Sequence, residues 1–144
     1  MSIEFLERSE IIEECYEFML AYAAQGLPGD QGSQAGTNIR DFLDRSAQAL
    51  DGLAESCAEA LKQTGLERAE KYAGFLAVLD RDAHDSAAAM QLVIVQPYIS
   101  SQLIDNLNAS IHLRALLTDL FLLGEVVKTR VAGKNKGEAQ GNAA

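Results

Sequence analysis

The chain has no tryptophan, only two cysteines and two prolines in 144 residues, and aromatic residues make up 6% of it. Each shortage removes a class of protein. So few aromatic rings cannot furnish the stacking surface that single-strand nucleic-acid binders use. Cys15 and Cys57 are too few for a disulfide framework. They form no C-x-x-C pair and have no histidine or basic neighbour in sequence to activate a thiol. Both fall among apolar helical neighbours, where a free cysteine behaves as a small hydrophobe. That pattern predicts a cytoplasmic protein with both thiols reduced.

Long apolar runs are missing as well. The windows 87–95 and 116–127 are too short to span a bilayer and are flanked or interrupted by polar groups, so no membrane insertion is expected. The first twenty residues carry acids where a secretory signal needs a basic start. No G-x-x-x-x-G-K-[ST], no G-x-G-x-x-G after a strand and no G-x-S-x-G elbow occurs, and no cofactor is expected.

What is present is acid, alanine and leucine. The net charge is −9. Residues 1–26 hold Glu4, Glu7, Glu10, Glu13, Glu14 and Glu17 against Arg8 alone. Toward the other end Lys128, Arg130, Lys134 and Lys136 face only Glu138. An acidic domain repels phosphate backbones, which speaks against nucleic acid as a partner.

Apolar residues recur at steps of three and four throughout, the mark of amphipathic helices. Ser2 is placed to cap a first helix that runs to about Gln25, with Gly26 as its stop. Residues 26–36, GLPGDQGSQAG, read as a long, mobile loop. Thr37 then caps a helix over 38–64, whose seam Ile39, Leu43, Ser46, Leu50, Leu53, Cys57 and Ala60 alternates at four and three. A third helix is expected over 66–79, followed by a polar cluster at 80–85. Residues 86–95 could be helix or strand; helix is preferred because no second strand exists to pair with. Pro97 breaks the path. A last helical stretch follows from Tyr98, which Asn106, Asn108 and Ser110 could divide.

The expected fold is therefore all-α: an antiparallel bundle of four or five helices over residues 1–131, with a disordered tail over 132–144. The last helix is apolar nearly all round. Such a helix lies either at the centre of its bundle or against another chain. A homodimer is the expectation, with Leu113, Leu116, Leu120, Phe121, Leu123 and Val127 at the interface.

Catalytic and metal chemistry find little support. A di-metal carboxylate bundle needs an E-x-x-H pair on two helices, but Arg81 stands three residues before His84 and Ala109 three before His112. Glu10, Glu14, Glu17, His84 and His112 remain the weak candidates for a metal, and the acidic row Glu7, Glu10, Glu14 and Glu17 is more simply a solvated face. The sequence thus favours a non-enzymatic interaction protein, adaptor, chaperone-like or regulatory, that presents helix faces to a protein partner. The alternative is a small-molecule- or metal-binding bundle, possibly an enzyme, with ligands from Glu10, Glu13, Glu14, Glu17, His84 and His112.

Overall fold

A computed structural model describes residues 3–65 and 69–143, with Ala69 and residues 134–143 described by backbone only. The described residues contain six α-helices, one 3-10 turn and no strand. The helices are α1 Glu4–Ala24, α2 Gln34–Leu50, α3 Leu53–Gln63, α4 Ala73–Ile94, α5 Ser101–Ala109 and α6 Ile111–Ala143. α1 packs chiefly on α2 and α5, while α4 packs on α6, α2 and α3. Ser2, the expected cap of α1, and the segment 66–68 lie outside the described residues.

The count exceeds four or five because two expected helices divide and two others fuse. The first division falls at Asp51-Gly52, inside the expected helix 38–64. Gly52 takes a left-handed φ of 76°, a conformation only glycine adopts without strain. Beside it the Arg8 guanidinium of α1 donates to the carbonyls of Gln48, Ala49 and Asp51, which have no continuing helix to accept from. The seam nonetheless survives the corner: Ile39, Leu43, Ser46, Leu50, Leu53, Cys57 and Ala60 are all buried. Gly52→Ala is expected to cost about 1 kcal/mol through backbone conformation alone, because a Cβ there meets nothing closer than 3.9 Å. Urea denaturation measures it, and an unchanged midpoint would contradict the assignment.

The second division falls at Ser110, whose hydroxyl accepts from the Leu113 amide and starts α6. The fusion produces α4. Its buried residues Leu79, Ala83, Ser86, Met90 and Val93 step at four and three straight through the polar cluster. The cluster is mostly the wet side of one helix, and Leu92–Val95 completes that helix.

Residues 25–33 also depart from the slack loop expected. Ser33, not Thr37, caps α2, accepting from the Gly36 amide at 2.9 Å. The loop is tied to the α4–α5 connection from several directions. The Leu27 amide donates to Ser101 Oγ at 2.8 Å and the Ser101 amide to the Leu27 carbonyl at 2.9 Å. Tyr22 Oη and Ser101 Oγ donate to the carbonyls of Ile99 and Tyr22, each at 2.6 Å. At the centre Asp30 accepts from the Ile99 amide and pairs with Arg40. Arg40 in turn donates to the carbonyls of Ile94, Gln96 and Pro97 at the end of α4. Gly36 is required here, since any Cβ would overlap the Asp30 backbone.

Finally, the backbone of α6 is helical through Ala143.

Candidate functional site

Of the six α6 residues expected at an interface between chains, five lie inside the chain's own core. Leu113, Leu116, Leu120, Leu123 and Val127 are at most 3% exposed, packed among the bundle's own helices. The bundle itself absorbs most of the apolar surplus, because α4 and α5 cover one side of α6 and α1 and α3 part of the rest. Phe121, 57% exposed, stays outside together with its neighbour Leu122.

Phe121 marks the edge of a trough between α1 and α6, about 630 Å³ in volume. One wall is Leu6, Ser9, Glu10 and Glu13; the other is Leu120, Phe121, Gly124, Glu125 and Lys128. Steps of three and four on both walls follow from helical periodicity. Each wall is held from behind, α1 by α2 and α5, α6 by α4, while the two touch each other sparingly. Buried Leu120, Ser9 and Gly124 form the floor, and exposed Glu10, Phe121, Glu125 and Lys128 the rim, with half-buried Glu13 between them. Three carboxylates thus meet a single ammonium. Arg8–Glu4, Arg40–Asp30 and His84–Asp80 are ion pairs among the described residues, and none of these involves the rim. The Ser9 hydroxyl is buried and has no hydrogen-bond partner.

The metal candidates are not brought together. Glu10, Glu14 and Glu17 are exposed along α1, and His84 and His112 are exposed on α4 and α6. His84 Nδ1 lies 2.7 Å from the Asp80 carbonyl and 3.4 Å from its carboxylate, and that neighbour raises its pKa. His112 contributes only its backbone carbonyl, which accepts from Ser86 Oγ. Among the described residues no three histidine, cysteine or acidic side chains converge as a metal ion needs. Burial pushes the Cys15 and Cys57 thiols up to about 11 and about 12, away from the thiolate that nucleophilic chemistry uses.

One carboxyl does sit in the interior. Asp119 of α6 is buried, and its Oδ2 has no partner. Burial first, then the Asp82 carboxyl of α4, pushes it up to about 7. Asp119 faces α4 and does not line the trough, so it bears on stability rather than on the candidate site.

Sequence reasoning missed Leu6, Ser9 and Gly124. Ser9 was visible as a polar residue in the apolar stripe between Phe5 and Ile12, and Gly124 as a helix-weakening residue inside the most apolar helix. What the pattern could not show is that α1 and α6 are neighbours.

No protein-family model, curated protein or solved structure matches the chain. Among the described residues no helix is long and apolar enough to cross a membrane.

Proposed function

We propose that this is a non-enzymatic interaction protein that holds a helix of a protein partner in the trough between α1 and α6. The observation that carries the reading is the trough itself: Leu6, Leu120 and an exposed Phe121 set among Ser9 and charged side chains, between two helices that touch each other sparingly. Exposed aromatic residues beside an apolar depression are where binding energy concentrates in protein interfaces. Helix-in-groove recognition uses this combination of parts.

The metal-binding alternative would need Glu10, Glu14, Glu17, His84 and His112 to converge, and no contact among the described residues favours it. The homodimer expected from the surplus of α6 loses most of its ground, because that surplus is largely spent inside the chain. A second copy therefore becomes the competing occupant of the trough.

A display selection of amphipathic helical peptides against the protein tests the proposal. Binders with micromolar Kd are expected to shift the amide resonances of Leu6, Ser9, Phe121 and Gly124. Phe121→Glu should weaken them at least about tenfold, the scale of one buried anchor. Binders that map to other faces, or none at all, would overturn it.

A further inference from the structure

Resting on that reading, we propose that the helix seated in the trough is basic and amphipathic, and that it crosses α6 with its backbone directly over Gly124. Three independent features point to this occupant.

The first is charge. Glu10, Glu13 and Glu125 stand around the trough without ion-pair partners among the described residues, against Lys128 on the same rim. Outside the trough, Glu7, Glu14 and Glu17 extend the same sign along α1. A surface that sets Leu6, Leu120 and Phe121 within an acidic rim is complementary to an apolar stripe flanked by lysine or arginine. The acidic field of the domain also steers such a segment toward it. An acidic helix, by contrast, would meet like charges on both walls.

The second is shape. Residues 6, 9, 10 and 13 on one side and 120, 121, 124, 125 and 128 on the other repeat at the helical step. Each wall thus covers about two turns, roughly 10–12 Å. Ridges at that spacing accept the ridges of another helix. The space is as wide as it is because α1 and α6 are each drawn to other neighbours.

The third is Gly124. Glycine inside a helix weakens it relative to alanine. Close packing within the chain does not require it here, since a Cβ at Gly124 would meet nothing within 4 Å. A buried glycine with open space above it is a place where another backbone can come close. Ser9 lines the same trough, its hydroxyl buried and without a hydrogen-bond partner among the described residues.

The test uses the full chain and two synthetic helical peptides with identical leucine and alanine faces, one flanked by lysine and the other by glutamate. The lysine peptide should bind at least about tenfold tighter, with affinity falling as salt rises. The triple change Glu10→Gln, Glu13→Gln and Glu125→Gln should remove that preference. Gly124→Ala should raise the melting temperature by about 3 °C, and Gly124→Leu should hold the fold while weakening the lysine peptide at least about tenfold. A substitution that holds the fold yet weakens binding is the signature that a purely structural role for Gly124 does not produce. Equal binding of both peptides at the trough would overturn the inference and leave the partner-helix reading standing, whereas no trough binding by any helix would end both. Sedimentation of the protein alone as a dimer that Gly124→Leu dissociates would assign the trough to a second copy and overturn the proposal.

Discussion

Arg40→Ala is expected to lower stability by about 2–3 kcal/mol, less than the cost of removing one partner from a fully buried ion pair, because the Arg40 side chain is 33% exposed. A domain of this kind has a total stability of only about 5–15 kcal/mol. Asp30 would be left with its side chain 8% exposed and no cation beside it. The carbonyls of Ile94, Gln96 and Pro97 would lose their donor in the same step. Arg40→Lys should recover only part of the loss, because an ammonium on a flexible stem cannot reproduce the fork that reaches all four groups. The pair also sets an acid limb. The hydrogen bond from Arg40 holds the Asp30 carboxyl below the usual carboxylate range, with the Ile99 amide helping and burial opposing. A depressed acid contributes stability that is present above its unfolded value near 3.8 and lost as the pH falls through the lower folded value. In Arg40→Ala the depression disappears and acid unfolding should begin at higher pH. Urea titrations at pH 7 and pH 3 measure both effects, and a loss under 1 kcal/mol at pH 7 would contradict the role given to Arg40.

Asp119→Asn is expected to act in the opposite direction and to stabilise. Burial raises this carboxyl from about 3.8 to about 7, and the nearby Asp82 adds to the effect. Between those two values the native state holds a proton that the unfolded chain has released, so stability falls as the pH rises from about 4 through 7. The full gap corresponds to on the order of 4 kcal/mol once Asp119 is ionised in both the folded and the unfolded state. Asparagine keeps the shape, supplies an N–H for Asp82 and cannot ionise. The variant should match the parent near pH 4 and exceed it by about 2–4 kcal/mol at pH 8. Parallel stability-against-pH curves for the two proteins would refute the assignment.

The helical class and the buried faces were legible in the sequence because both rest on local periodicity. Every residue of the seam from Ile39 to Ala60 is buried, although the helix carrying it bends at Gly52. The bend was hidden because Arg8, which holds it from forty residues away, reads in sequence only as a lone base among acids. The loop over 26–36 misled for the same reason. Its glycines and polar residues are typical of a slack segment, and nothing local shows that Asp30 meets Arg40 and Ile99. The apolar excess of α6 was read correctly as a surface that needs cover. Core and interface residues look alike in a helix, so the pattern could not show that α4 and α5 supply most of it. The trough lay further out of reach still, because it exists only between α1 and α6, more than a hundred residues apart.

The position of α1 carries a consequence for synthesis. This helix is made before α2, which supplies only part of its surroundings, and long before α5 and α6, which complete them. Tyr22 and Leu27 wait for Ile99 and Ser101, partners more than seventy residues away. A nascent chain therefore carries the apolar stripe of α1 and the paired amides of the 25–33 segment without their final neighbours until α5 emerges. During that interval the exposed stripe is a surface that chaperones can recognise, and its row of glutamates keeps it hydrated.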